Sequence, residues 1–169
     1  MRLDTKTVQQ YFQILEDTLL CFFLEPHHTS LRKRQSANPK CYLIDIGIWR
    51  ALTNTFSYGL KSDSVGFGNL FEHFVIAELR AVSRSRKTGF EFFFYRKDDQ
   101  IEVDLIIERP GQDLVLLAIK SHSMIEERHV KGLNTVAKEY PKAEVICLSL
   151  DKNEKQFGRV RAMHWTDGL

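Results

Sequence analysis

Glu102-Val103-Asp104-Leu105-Ile106-Ile107-Glu108, followed beyond a Pro110-Gly111 turn by Leu114-Val115-Leu116-Leu117-Ala118-Ile119-Lys120, is the stretch whose reading decides the fold. Both runs are short, rich in branched apolar residues and separated by turn formers, so they predict two strands of a hairpin. With a side-chain period of two, Glu102 and Asp104 share one face while Val103, Leu105 and Ile107 take the other. Leu114, Leu116, Ala118 and Lys120 share a face by the same rule. Antiparallel pairing can therefore set Lys120 beside Asp104 at the strand ends.

Outward from this pair, Phe90 to Arg96 reads as a preceding strand, joined through the polar turn Lys97-Asp98-Asp99, which makes an antiparallel meander. Downstream, Val130, Leu133, Val136 and Ala137 mark one side of a helix from Glu126 to Tyr140. The strand Glu144 to Leu150 follows at once, and strand, helix, strand implies a parallel crossover. A last strand is expected over Arg159 to His164. Upstream, Phe67, Leu70, Phe71, Phe74, Val75, Leu79 and Val82 lay a broad apolar stripe along a long helix. The order from about Val65 is αβββαβ, an α/β (α+β) class with a mixed sheet flanked by helices.

The first 64 residues read differently. Val8, Tyr11, Phe12, Leu15 and Leu19 recur at intervals of three and four, an amphipathic helix capped by Asp4 or Thr5. Such a two-faced helix needs a packing partner, which either a second copy or a separate protein would supply. Residues 21–24 and 41–44 read as short strands around a polar hairpin loop that carries Arg32-Lys33-Arg34. Asp45 caps a short helix with Ile48, Trp49 and Leu52, and Thr53 to Ser64 is irregular. Two parts result: a helix, hairpin and connecting segment over 1–64, and an α/β core over 65–169.

Composition narrows the classes. At 169 residues and 43% hydrophobic, the chain can bury a continuous core without disulfides or metal. A net charge of +2 is too near neutral to mark a dedicated nucleic-acid binder, so any basic surface is local. Cys21, Cys41 and Cys147 are odd in number and set among apolar neighbours, as reduced core thiols are. No apolar run approaches the roughly 18 residues that span a bilayer, and Met1-Arg2-Leu3-Asp4 lacks a signal-peptide core, so no membrane contact and a cytoplasmic location are expected. His27, His28, His73, His122, His129 and His164 show no metal-binding spacing.

The chemistry lies in the acids. Hydrolysis of a phosphodiester calls for carboxylates that hold a hard divalent cation, Mg or Mn, and a lysine that orients the attacking water. Asp104 and Glu102 supply two such oxygen donors, Glu72 on the long helix a third, and Lys120 the amine. Glu72, Asp104 and Lys120 are thus the candidate catalytic set, and Asp104, Glu72 and Glu102 the candidate metal ligands. The competing reading is that these are ordinary charges on the solvent side of a half-exposed meander.

Gly68-Asn69-Leu70-Phe71-Glu72 on a helix, Glu102-Val103-Asp104 on a strand and Ala118-Ile119-Lys120 on the next resemble the motif series of PD-(D/E)XK nucleases, and the αβββαβ order agrees. More closely, Tyr42-Leu43-Ile44-Asp45-Ile46-Gly47 resembles a segment of the uncharacterised C-terminal domain that follows an AAA-type ATPase in a large group of prokaryotic proteins. In that group the pattern from Thr7-Val8-Gln9-Gln10-Tyr11 to Leu15-Glu16 is similar to the final helix of a winged-helix module. The resemblance implies a nuclease-like fold, DNA or an AAA-type ATPase as partner, and covers nearly the whole chain.

Two departures matter. Gly59-Leu60-Lys61-Ser62 lacks the upstream glycine of a phosphate-cradling loop, so this stretch is not expected to belong to an ATPase part. The nuclease pattern also places Glu or Gln two residues before the lysine, where Ala118 cannot bind metal. Arg96 could contact a phosphate or pair with Glu102. Arg84, Arg86 and Lys87, with Arg32, Lys33 and Arg34, could grip a nucleic-acid backbone or form plain solvated surface. Glu78, near the centre of the long helix's apolar stripe, is expected to be buried in a salt bridge. The reading that follows is an accessory domain with weakened or lost cleavage that binds nucleic acid or a protein. The alternatives are an active Mg- or Mn-dependent endonuclease and a homo-oligomeric interaction domain.

Overall fold

The computed structural model describes residues 4–27, 38–56, 59–62, 64–97 and 101–169. Arg32, Lys33 and Arg34 lie outside the described residues. Eight strands form one mixed sheet: β1 (Cys21–Pro26), β2 (Lys40–Leu43), β3 (Glu91–Lys97), β4 (Ile101–Glu108), β5 (Val115–Lys120), β6 (Glu144–Ser149), β7 (Lys155–Phe157) and β8 (Val160–His164). Their spatial order is β2-β1-β3-β4-β5-β6-β8-β7. The meander β3-β4-β5 is antiparallel, and β6 joins β5 in parallel after a crossover helix. The β1–β2 hairpin continues this sheet through a parallel β1–β3 pair. β7, a short strand that the sequence reading lacked, forms a hairpin with β8.

Helices cover both faces. α1 (Thr5–Asp17) lies on β1, with Phe12 edge-on to Phe23 at 6.0 Å between ring centroids. α2 (Ile46–Leu52) starts where the Asp45 carboxylate accepts from Ile48 N at 3.1 Å. α3 (Val65–Arg86) is capped by Ser64, whose hydroxyl accepts from Phe67 N, and ends at Lys87 in the left-handed region, φ 52°. α4 (Glu127–Ala137) makes the crossover between β5 and β6. No described helix is long and apolar enough to cross a membrane.

The apolar stripes explain the layers. Phe71, Val75 and Ile76 of α3 meet Leu105, Ile107, Leu117 and Ile119 of the sheet. On the other face Val130, Leu133 and Val136 of α4 meet Val103, Ile106, Leu116 and Ala118. Each fully buried Val, Leu or Ile here contributes about 1.5–3 kcal/mol, so the two clusters hold the layers together.

One register differs from simple alternation. Phe93 pairs with Ile106 and Tyr95 with Val103, so Phe94 alone spans both Asp104 and Leu105, a β-bulge. The expectation that Val103, Leu105 and Ile107 share a face is therefore corrected: Val103 packs towards α4, while Leu105 and Ile107 pack towards α3. The extra residue is what lets Asp104 and Leu105 both turn to the α3 side.

Candidate functional site

The bulge and the end of the β4–β5 ladder build the site together. Pairing between β4 and β5 runs from Ile107–Val115 to Leu105–Leu117. Beyond it, Ile119 N donates to Asp104 Oδ2 at 2.6 Å, so a side chain takes the place of a ladder carbonyl. Lys120 Nζ, at the end of β5, stands 3.5 Å from the same oxygen. Asp104 is 7% exposed, and buried charge at this depth needs both partners. The expected neighbourhood of Asp104 and Lys120 is present.

Glu72 faces them from the second turn of α3. Tyr42 OH donates to its Oε1 at 2.9 Å, and Lys40 Nζ lies 3.7 Å from that oxygen. Lys40 also pairs with Glu102 Oε1, whose other oxygen accepts from Arg96 Nη2 at 3.0 Å. Of the two expectations for Arg96, the ion pair is the one formed. Arg96 nevertheless keeps 54% of its side chain exposed.

The electrostatics follow from this crowding. Burial, then the nearby Asp104 charge, push Glu72 above the usual carboxylate range, and Lys40 and Tyr42 only partly offset them. Burial acts the same way on Glu102, but the hydrogen bonds and charges of Lys40 and Arg96 outweigh it and hold that carboxyl low. The buried Tyr42 phenol, beside Glu72, is raised and stays a donor. His73, buried against Tyr42, donates from Nε2 to the Leu43 carbonyl at 2.7 Å, and burial lowers its pKa.

Glu72 and Asn69 line two adjoining cavities. One, of about 530 Å3, runs past Ser64, Gly68, Lys120 and His122. The other, of about 500 Å3, holds Lys40, Arg96, Glu102 and Asp104. Together they make an open polar groove across the end of the meander.

The remaining expected residues fall elsewhere. Arg84, Arg86 and Lys87 sit at the far end of α3; at 1.5 Å per residue, Arg84 is roughly 18 Å along the axis from Glu72. They do not join the groove. Glu78 is half-buried and has no ion pair among the described residues, so the buried salt bridge expected for it is not formed.

As a metal shell, Asp104, Glu72 and Glu102 do not fit. Among the described residues no three His, Cys, Asp or Glu side chains are grouped to hold an ion. Each of the three acids is turned to an amide, ammonium, guanidinium or hydroxyl. Ala118, where the nuclease pattern has a further ligand, is 4% exposed within the apolar cluster of α4. Lys40 and Tyr42 were not singled out as site residues by the sequence, although as i and i+2 on a strand they had to share a face.

Fold and groove define a mixed α/β domain with a buried acid–lysine centre at one end of its sheet. Residues 67–167 match the family described as a domain of unknown function, DUF4143, and the chain belongs to that family. Residues 1–59 match a second domain of unknown function, DUF8612. Uncharacterized proteins of Mycobacterium bovis and Mycobacterium tuberculosis are each 26% identical over 106 residues, 63% of this chain and 23% of theirs. The chain thus corresponds to about a quarter of the length of these relatives. No solved structure matches it.

Proposed function

We propose that this chain is a PD-(D/E)XK-type accessory domain that binds DNA and serves an AAA-type ATPase in the cytoplasm, with metal-dependent cleavage weakened or lost. One observation carries the reading: Asp104 and Lys120 pair across neighbouring strands with Glu72 at the same groove, while Ala118, two residues before the lysine, offers no carboxylate and packs its methyl group in the apolar cluster of α4. The αβββαβ order supports the nuclease-type core. The groove, with Lys120 and Arg96 partly exposed in it, supports contact with phosphates. Cleavage is the weak part, because general water activation by a Mg or Mn ion requires oxygen ligands that here are already engaged.

The test is a duplex DNA titration by fluorescence anisotropy beside a cleavage assay in Mg2+ or Mn2+. Salt-sensitive binding without appreciable cutting is expected. Robust cutting that Asp104→Asn abolishes would make the chain an active endonuclease instead, and absence of any binding would remove DNA as the partner.

A second reading, assembly, rests on α1. Tyr11 and Ile14 of α1 are 59% and 56% exposed and no α1 residue is buried; Leu19, expected on the helix, lies beyond its end at φ 58° and is 68% exposed. Lys6 lies at its amino end and Glu16 and Asp17 at its carboxyl end, against the helix dipole. A second copy in antiparallel array sets each positive end beside an acidic one while covering both apolar faces. Light scattering should then give a dimer that Ile14→Glu splits into monomers; a monomeric wild type excludes it.

A further inference from the structure

Glu72, Glu102 and Asp104 share this groove, and like charges brought together in a partly buried site repel one another. Cations inside such a cluster relieve the repulsion without protonation. Lys120 serves Asp104, and Arg96 serves the outer oxygen of Glu102. The position between Glu72 and Glu102 is filled from a remote part of the chain. Lys40, the first residue of β2 and 62 positions before Glu102, extends its ammonium to Oε1 of both glutamates and over the Phe94 ring, 5.2 Å from the centroid. Only 25% of that side chain is exposed. An ammonium has three donors and no acceptor, so one lysine can bridge two acids as a single small cation would.

We infer that Lys40 is the resident cation of this centre, standing between Glu72 and Glu102 so that the groove keeps its shape without a divalent ion, and that removing its charge opens a divalent-cation site there. The edge hairpin thereby becomes part of the centre: β2 supplies both the cation and, through Tyr42, the hydroxyl on Glu72. The inference rests on the charges and distances themselves. It stands whether or not the groove binds DNA.

The experiment uses the whole chain, stripped with EDTA and then supplied with Mn2+, and reads thermal unfolding together with Mn2+ binding by paramagnetic resonance. The wild type should show the same Tm with EDTA or Mn2+. Lys40→Met should lower Tm and then gain a saturable, one-to-one Mn2+ site at least tenfold tighter than any in the wild type. Lys40→Arg should keep the wild-type indifference, and Lys40→Met with Glu72→Gln should lose the new site. Equal Mn2+ affinity in wild type and Lys40→Met overturns the inference, as does a Lys40→Met chain with unchanged Tm and no Mn2+ site. If Lys40→Met does not fold, refolding in Mn2+ decides: recovery that Na+ at matched ionic strength does not give supports the inference, and failure to recover overturns it.

Discussion

Two acids in this molecule are each held by a lysine, yet their surroundings tune them in opposite directions. Asp151, in the turn after β6, is 2% exposed and surrounded by donors. Its Oδ2 accepts from Ile125 N at 2.8 Å and Lys155 Nζ at 2.7 Å, and its Oδ1 from Asn153 N at 3.0 Å. These bonds hold its carboxyl far below the usual range. Glu72, half-buried at the groove, has Lys40 beside it, but its near neighbours include two more carboxylates, and its pKa is raised. Donors around a charge make a structural clasp; like charges around it leave strain, as functional sites often do.

Breaking the clasp should have the largest effect. Asp151→Ala leaves Ile125 N and the Lys155 ammonium without their acceptor, and loss of one member of a buried pair costs about 4 kcal/mol. Because the folded pKa lies below the ordinary 3.8, the stabilisation is present above that pH and lost as pH falls through the folded value. Urea unfolding at neutral pH should separate variant and wild type widely, and in strong acid the gap should narrow.

Ala118→Glu comes next. The introduced carboxylate would enter the apolar cluster that holds Val130 and Leu133, so a loss of about 3 kcal/mol is expected from overpacking and a buried charge. Urea unfolding measures it; an unchanged midpoint would mean that the side chain escapes to the groove, and Ala118 would then not be closed to metal.

Glu72→Gln should act with the reverse sign to Asp151→Ala. The raised folded pKa means that the protonated form is favoured in the native state: that stability is complete below the ordinary value of 4.5 and is lost as pH rises through the folded value. Glutamine keeps an acceptor for Tyr42 and cannot ionise. The variant should therefore gain on the wild type as pH rises, by less than either loss above, with little difference in acid. Unfolding midpoints across the pH range check it, and a gap independent of pH would deny that Glu72 is strained.

What the sequence made legible was periodic. Apolar stripes located α3, α4 and the meander, because helices and strands bury faces that recur every 3.6 or two residues. The Asp104–Lys120 neighbourhood was expected from the period of two, but alternation alone would leave Lys120 on the side of Leu116 and Ala118, and the contact forms at the strand end after the bulge has turned Asp104. The bulge was not legible, since Asp104-Leu105 looks like any alternating pair and the extra residue shows only in the register against Phe94. Nor was Lys40, whose partners are Glu72 and Glu102, far along the chain and joined to it only when the hairpin enters the sheet. Glu78 was overrated because a helical stripe gives the apolar face only to within a residue or so: Ala77 and Leu79 pack on the sheet while Glu78 between them stays half-buried.

The smallest structural effect should come from Arg96, and for that reason it is the sharpest functional probe of the groove. Its ion pair with Glu102 is 54% exposed on the arginine side, and surface pairs are worth only a few tenths of a kcal/mol. Glu102 would also keep Lys40. Arg96→Ala should thus leave the unfolding midpoint nearly unmoved, in contrast to every acid above. If the guanidinium meets a phosphate when DNA binds, the same change should weaken binding across sequences alike and reduce the slope of log affinity against log salt by about 1. A full salt slope in the variant would confine Arg96 to holding Glu102 and move any DNA contact to the Lys120 end of the groove.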